Sequence, residues 1–311
     1  SGISGSKAAD MAAVAPVLLG VTLVVFAMLW LAPGDPVLAL VGESAQGMSR
    51  EALDALRKAH GLDRGPIVQY LDYLFGLVRG DLGTSVRSSQ PVAGEVLSRF
   101  PATLLLAGSA MAVAILLGMT LGVLAAVYRR TWVDHLAVLV ALLGVSVPVF
   151  WSGLLLMLLF ALDLGWLPAS GYGTWRHLVL PAAAVGFSSA AFIARITRAS
   201  MIETLRQDYV RTATAKGLGA SAVRLRHALR NALLPVVTVV GLQFGGLLGG
   251  AVLTETVFAW PGIGRMLVDA ITSRDLPLVQ GSVLFIAVIF IVMNLLVDVS
   301  YALLNPKVRY D

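Results

Sequence analysis

One apolar run constrains the fold of this chain more than any other feature, because no charged residue stands between Arg230 and Glu255. A membrane-spanning helix needs about 20 consecutive, mostly apolar residues, and this run is long enough. Five further runs are mostly apolar over a similar length, although 178–196 contains Arg195 and 281–304 contains Asp298. The predicted spans are residues 12–31, 102–128, 135–162, 178–196, 232–254 and 281–304. The sequence therefore predicts an all-α polytopic membrane protein with six transmembrane helices.

The composition agrees with this class. The 311 residues are 58% hydrophobic and 13% charged, with a mean hydropathy of +0.84, whereas a soluble domain is about half apolar and a quarter charged. The net charge of +5 does not indicate a nucleic-acid partner, because the basic residues cluster at the ends of apolar runs, beside membrane lipid. The absence of cysteine excludes disulfides, thiolate metal sites and cysteine nucleophiles.

The distribution of lysine and arginine predicts the orientation. Loops rich in these residues remain on the cytoplasmic side of a membrane, and six spans place both termini on that side. The basic residues assigned to it are Arg129, Arg130, Arg198, Arg206, Arg211, Lys216, Arg224, Arg226, Arg230, Lys307 and Arg309.

The loop at residues 33–100 is predicted to be a helical subdomain on the outer face. Ser49 is a plausible N-cap for a first helix that Gly61 ends, and Pro66 can begin a second helix. A turn is expected from Gly80 to Gly83. The loop is interpreted either as a structured cap or as a docking surface for an external partner. The remaining divisions are a cloning remnant or tail at 1–10, a first span at 12–31, a membrane core at 102–304 and a cytoplasmic tail at 305–311.

Catalytic motifs are missing. The histidines form no HExxH motif, no G-x-S-x-G elbow occurs, and no G-x-x-x-x-G-K-[ST] loop is present to hold nucleotide phosphates. We therefore predict no catalytic residue, no metal site and no bound cofactor, so ATP-driven work would need another subunit. Asp298, late in the last span, is interpreted as a packing residue or, alternatively, as a proton carrier.

Glycines recur at four-residue spacing in two spans. This spacing lets helix backbones approach closely, either within the chain's own bundle or against a second membrane chain. The fifth span carries Gly241, Gly245 and Gly249 with Gly246 and Gly250 beside them, and the second span carries Gly118 and Gly122.

The polar segment DYVRTATAKGLGASAVRLRHALRNALLP, residues 208–235, lies between two apolar runs and has no acidic residue after Asp208. The segment has a strip of small or apolar residues, namely Ala213, Ala215, Gly217 and Leu218. The pattern predicts a short helix, a glycine turn and a second amphipathic helix that insert into a groove of a partner protein. The alternative is a solvated basic loop attracted to anionic lipid.

This segment resembles the EAA-type coupling loop of ABC importer permeases, and RTATAKGL…RHALRNALLP is similar to the dipeptide/oligopeptide/nickel branch. Arg211 and Thr212 depart from the acidic residue of the general pattern. Five other segments resemble the same branch: LAPGDPV at 31–37, GVSVPVFW at 144–151, LGWLPASGY at 164–172, TETVFAWPGIGRM at 254–266 and RDLPLVQG at 274–281.

The resemblance implies a type I importer fold in a bacterial or archaeal cytoplasmic membrane, working by alternating access. It also implies a second homologous permease, two cytoplasmic ATPases that hold ATP and Mg, and an external substrate-binding protein. The cargo implied is a dipeptide or oligopeptide, with nickel chelates, glutathione or haem as alternatives. The rivals from other classes are an ATP-independent channel or secondary transporter and an intramembrane enzyme.

Two sets of site residues follow. The resemblance places ATPase contacts in a coupling segment, residues 203–230, with Glu203, Asp208, Tyr209, Arg211, Ala213, Lys216 and Gly217 as the candidates. Polar residues within or near the spans are the candidates for a translocation path, namely Ser146, Ser188, Ser189, Thr238, Gln243 and Asn294.

Overall fold

The structure is a computed structural model, and it describes residues 2–31, 37, 47–59, 62–219 and 222–304. Several predictions lie outside these residues: the helix stop at Gly61, most of LAPGDPV and the tail at 305–311. The side chain of Asp298 is also outside the described part, so its predicted role stays a prediction.

Across the described residues the regular elements are helices, apart from one isolated antiparallel bridge between Thr84 and Pro91. Two single π-helical turns, Leu158–Asp163 and Val223–Ala228, adjoin α-helices. The helices are α1 Gly2–Leu31, α2 Arg50–Ala59, α3 Pro66–Val78, α4 Val92–Val127, α5 Trp132–Ser146, α6 Val149–Met157, α7 Trp175–Thr204, α8 Asp208–Ala215, α9 Leu229–Gly250, α10 Val252–Val257, α11 Ile263–Thr272 and α12 Leu276–Leu304.

Among the described residues, four helices are long and apolar enough to cross a membrane: α4, α7, α9 and α12. A fifth span results if α5, α6 and the π-helical turn after it are counted together. The first predicted span coincides with a shorter apolar helical stretch, Pro16–Met28 in α1. The polytopic helical class is confirmed, and the count of six stays a prediction.

The third predicted span, residues 135–162, is not one continuous helix. Its two parts are bent by 102°, and the break falls at Val147 and Pro148. Val147 has extended backbone (φ −88°, ψ 123°), because the proline ring disfavours helical geometry in the residue before it. Pro148 then caps the start of α6.

The described residues divide into two compact units, residues 1–101 with 262–288 and residues 102–261 with 289–311. The core of the first unit packs the start of α4 against α11 and the start of α12, with Val92, Val96, Ile263, Met266, Ala270, Leu278 and Val279 buried. Asp275 is 1% exposed. Its carboxylate accepts hydrogen bonds from the Ser85 hydroxyl at 2.5 Å and from the Arg87 N–H at 3.2 Å, which secures the 83–91 turn.

Three local predictions for the outer loop are confirmed: the Ser49 cap, the helix start at Pro66 and the turn from Gly80 to Gly83. The Ser49 hydroxyl accepts a hydrogen bond from the Ala52 N–H at 3.2 Å, and Pro66 stands in the first turn of α3. Gly80 and Gly83 adopt positive φ of 78° and 82°. The Gly83 N–H donates to the Asp81 carboxylate at 2.8 Å, which closes the predicted turn.

Helix α7 is the centre of the second unit. In α7, 61% of the apolar 18-residue stretch that could cross a membrane is buried, compared with 39% in α4 and 22% in α9 and α12. The helix is rich in alanine and serine, small residues that let other helices pack closely around it.

Glycines set how closely the neighbours approach α7. A Cβ atom added to Gly118 would stand 2.7 Å from the Ala190 carbonyl oxygen, and one added to Gly122 would stand 2.6 Å from the Thr197 Cβ. Both distances are shorter than van der Waals contact. The backbones of α4 and α7 therefore meet at the glycine pair of the second predicted span.

The glycines of α9 divide into two groups. Gly241 packs against Val297, and a Cβ on Gly245 would lie 3.5 Å from the Met293 Cβ. A Cβ on Gly246 would meet nothing within 4 Å. Packing inside the chain's own bundle thus accounts for the Gly241–Gly245 stripe, while the surface at Gly246 is open.

We expect opposite stability effects from two alanine substitutions in α4. Gly118→Ala should lower the free energy of unfolding by about 1–3 kcal/mol, because the helices must separate to admit the methyl group. Gly108→Ala has open space around it and should stabilise the helix by up to about 1 kcal/mol. Thermal unfolding of the two purified variants measures both. Equal shifts in Tm would contradict the close approach of α4 and α7.

Candidate functional site

The coupling segment is built around α8, whose inner face is apolar. Val210 and Ala213 are 6% and 8% exposed and pack with Val223, while Leu205 is partly buried against them. Asp208 stands in the first turn of α8, where a negative charge interacts favourably with the helix dipole. This packing docks α8 on the π-helical turn that precedes α9.

Gly217 ends α8 in a left-handed conformation, with φ of +81°. The Gly217 N–H donates to the Thr214 carbonyl at 3.0 Å, and the Leu218 N–H donates to the Ala213 carbonyl at 3.4 Å. This pair of bonds is a Schellman motif, which requires positive φ at the residue that Gly217 occupies. The predicted helix stop is confirmed, and its reason is conformational because no atom of the described residues beyond its chain neighbours lies within 4 Å of an added Cβ.

Tyr209 connects α8 to α9. Its hydroxyl accepts a hydrogen bond from the Asn231 side-chain amide at 2.7 Å, while 40% of the residue remains exposed. The bond joins the first turn of α8 to the first turn of α9. Together with the apolar inner face, it holds α8 at two points.

The candidate coupling residues divide by exposure. The exposed ones are Glu203, Asp208, Tyr209, Arg211, Lys216 and Gly217. Ala213 is instead buried on the inner face, so its side chain supports α8 and offers little surface to a partner. The Arg211 Nη1 lies 3.8 Å from the Asp208 Oδ1, and both side chains are largely exposed. Such a pair contributes little to stability.

An ion pair close to the coupling segment in the sequence was not predicted, although Arg198 was assigned to the cytoplasmic side. The Asp134 carboxylate accepts hydrogen bonds from Arg198 Nε at 2.8 Å and Arg198 Nη2 at 2.9 Å. It also accepts one from the Arg130 N–H at 3.0 Å. This forked ion pair joins the start of α5 to the last turns of α7. A single acidic residue in an otherwise basic turn was the available signal.

A second polar contact was not predicted from the sequence. Glu255 is fully buried and accepts a hydrogen bond from the Thr103 hydroxyl at 2.7 Å. The Trp260 indole N–H donates to the Ala102 carbonyl at 2.8 Å, and the Tyr172 ring packs edge-on against the indole. These contacts fasten the TETVFAWP segment to α4 and to the loop before α7.

The candidate translocation residues lie on four helices: α5, α7, α9 and α12. Ser189 is buried in α7, Ser188 is partly buried beside it, and Ser146 is exposed at the break after α5. Thr238 and Gln243 are partly buried on different faces of α9.

Asn294 lies beside Gly245 of α9, where an added Cβ would be 3.9 Å from the Asn294 Oδ1. That oxygen is buried without a hydrogen-bond partner among the described residues. In the same part of the chain, no group of three His, Cys, Asp or Glu side chains could hold a metal ion.

Family models match most of the chain. Residues 118–310 match the binding-protein-dependent transport system inner membrane component, and residues 9–107 match the N-terminal membrane component of such systems. The chain belongs to this family. It is the permease subunit of an ABC importer in the dipeptide/oligopeptide/nickel branch, a multi-pass protein of the inner membrane, as the coupling-loop resemblance implied.

Individual proteins agree with the family. The chain is 46% identical to the glutathione transport system permease protein GsiC of Salmonella typhimurium, and 44% identical to that of Escherichia coli K12. Each alignment has 295 residues and covers 95% of both chains. Two solved structures share the fold. The inward-facing MetNI methionine ABC transporter has a TM-score of 0.58 and 16% identity, and the match covers 68% of this chain and 96% of that one. An amino acid ABC transporter with histidines has a TM-score of 0.52 and 17% identity, and the match covers 69% of this chain and 94% of that one.

The permease's Asp134–Arg198 pair gives a second prediction. Asp134→Asn removes the charge while keeping the shape, and leaves Arg198 without its carboxylate. We expect the free energy of unfolding to fall by about 1–3 kcal/mol, measured by thermal unfolding of the purified complex. Asp54→Asn breaks the exposed pair with Arg57 and should change stability by less than about 0.5 kcal/mol. Equal losses in the two variants would refute a supporting role for the partly buried Asp134–Arg198 pair.

Proposed function

We propose that this permease is one half of a heterodimeric membrane core that imports short peptides by alternating access. Its partners are a second homologous permease, two cytoplasmic ATPases and an external substrate-binding protein. The chain is not itself an enzyme and binds no cofactor. ATP and Mg are bound by the ATPases, which hydrolyse the ATP. Both termini and the coupling segment face the cytoplasm. Residues 33–100 and the WPGIG sequence at 260–264 face the binding protein.

The observation that carries the coupling role is the two-sided construction of α8. Its inner face is fixed by Val210, Ala213 and the Tyr209–Asn231 hydrogen bond, while its outer face presents Asp208 and Arg211 to solvent. A helix fixed on one side and exposed on the other can act as a lever. An ATPase groove that contacts this outer face differently in two nucleotide states would shift the spans between two arrangements.

The proposed cargo is a short peptide, and glutathione is the first member of this class to test. The relatives named as glutathione permeases support this choice, since the alignments cover nearly all of both chains. The candidate translocation residues are uncharged hydroxyls and amides, which suits a weakly selective conduit. Nickel chelates and haem remain the alternatives within the branch.

Gly217 provides the test of coupling. Gly217→Val should reduce ATP-driven uptake several-fold, because a β-branched residue in the left-handed region costs roughly 1–2 kcal/mol and would disrupt the end of α8. Gly217→Asn is the matched control, since asparagine tolerates this conformation and open space surrounds the position. Uptake and ATP hydrolysis are measured on the complex reconstituted in liposomes.

Assembly is checked separately, by recovering the second permease and both ATPases with each variant. The lever proposal requires that Gly217→Val assembles and loses uptake while Gly217→Asn retains most of it. Normal coupled ATP hydrolysis and uptake in the valine variant would refute it.

Cargo is tested with the reconstituted complex and its binding protein. We expect glutathione or a dipeptide to stimulate ATP hydrolysis and to accumulate inside the liposomes, with no accumulation when a non-hydrolysable ATP analogue replaces ATP. Uptake without nucleotide would refute the importer mechanism. Stimulation by a nickel chelate or haem, without stimulation by any peptide, would refute the peptide assignment.

A further inference from the structure

Helix α3 of the outer loop has an exposed apolar stripe. The stripe comprises Ile67, Val68, Leu71, Phe75 and Val78, which are 74%, 45%, 46%, 64% and 87% exposed. At 3.6 residues per turn these five positions share one arc of about 100° on the helix surface. A stripe of this kind normally faces a protein core, so another apolar medium or partner must cover it.

The opposite side of α3 carries the polar atoms and faces protein. The Gln69 side-chain amide donates to the Arg64 carbonyl at 2.7 Å. The Tyr70 hydroxyl lies 3.1 Å from the Thr22 hydroxyl and donates to the Leu19 carbonyl at 3.3 Å. Compared with a helix on the surface of a soluble domain the polarity is partly reversed, because hydrogen-bonding groups face inward beside the partly buried Leu74 and Leu77 while the five large apolar side chains of the stripe face outward. This reversal is expected where the surroundings are hydrocarbon.

The contacts of Tyr70 place α3 beside the interior of the first span. Its ring centroid is 5.3 Å from that of Phe26, and its hydroxyl is bonded at Thr22 and Leu19. With a rise of 1.5 Å per residue, Thr22 lies about 13 Å along α1 from the end of that helix at Leu31. A bilayer has a hydrocarbon core about 30 Å thick. The contact between Tyr70 and Thr22 therefore lies well inside the predicted span, away from its outer end at Leu31.

The apolar surface of α3 has the same character as that of α1. Leu19, Leu23, Val24 and Met28 of α1 are all more than half exposed. At the border of the α3 stripe, Asp72 forms a 2.7 Å ion pair with Arg64, and both side chains are 56% exposed. Because ionised side chains are costly in hydrocarbon, this pair marks the polar edge of α3, and acyl chains can cover only the stripe on the other side of that edge.

We propose that α3 lies in the outer leaflet of the bilayer, with its apolar stripe covered by lipid acyl chains. Part of the outer loop is then a membrane-embedded anchor that continues the lipid-facing surface of α1. A binding protein is water-soluble and would have to reach past the outer end of α1 to cover the stripe, so the surface proposed for it is the part of residues 33–100 outside this stripe. The inference concerns membrane placement and does not depend on the cargo.

The lack of cysteine makes a direct test possible. Leu71→Cys and Phe75→Cys are each labelled with an environment-sensitive fluorophore, in the full transporter complex reconstituted in lipid nanodiscs. Quenching is compared between lipids with brominated acyl chains and iodide in the water. Leu116→Cys, a 69% exposed site on α4, is the lipid reference, and Glu51→Cys on α2 is the aqueous reference. The complex that contains the cysteine-free chain is taken through the same labelling reaction and corrects for label on the partner subunits.

The proposal requires both stripe positions to lose most of their fluorescence to brominated lipid, as Leu116→Cys does, with little effect of iodide. Quenching by iodide at the level of Glu51→Cys would overturn it, because the stripe would then face water. Insensitivity to both quenchers would also overturn it, because a protein partner would then cover the stripe. If a label prevents assembly, Ile67→Cys and Val78→Cys probe the two ends of the same stripe.

Discussion

The contact between the backbones of α4 and α7 at Gly118 and Gly122 is the constraint on which the second unit of this permease depends. Membrane helices gain no hydrophobic free energy by leaving lipid for one another, so they associate through close van der Waals packing and hydrogen bonds. Because glycine has no side chain at these two positions, the helices approach closely and many weak contacts form along the crossing. The position of α7 then determines where α5, α6 and α9 can pack.

The same helix leads to the coupling segment. The last turns of α7 are held to α5 by the Asp134–Arg198 pair. Immediately after α7, Leu205 packs in two apolar clusters. One cluster contains Met201, Ala126, Ala228 and Ala232, and the other contains Val210, Ala213 and Val223. A continuous series of packed side chains therefore connects the centre of the second unit to α8, as a lever between ATPase and membrane core would require.

Local features were predictable because they depend on neighbouring residues. The Ser49 cap, the start of α3 at Pro66, the Gly80–Gly83 turn and the helix stop at Gly217 all follow from backbone preferences and hydrogen bonds a few residues apart. The break at Pro148 has an equally local cause, but the apolar run continues through it and obscured the bend. Ala213 was assigned to the partner surface because the motif shows which residues recur, without showing which face of α8 each one occupies.

The sequence by itself determined the class of the protein, its apolar spans and its family, because these depend on composition, on the length of apolar runs and on short motifs. Only the tertiary structure decided which side chains meet. Asp134 with Arg198, Thr103 with Glu255, Tyr209 with Asn231 and Tyr70 with Thr22 are pairs separated by many residues. Each depends on how two helices rotate and cross, and that geometry arises from the packing of whole helix faces rather than from any local pattern.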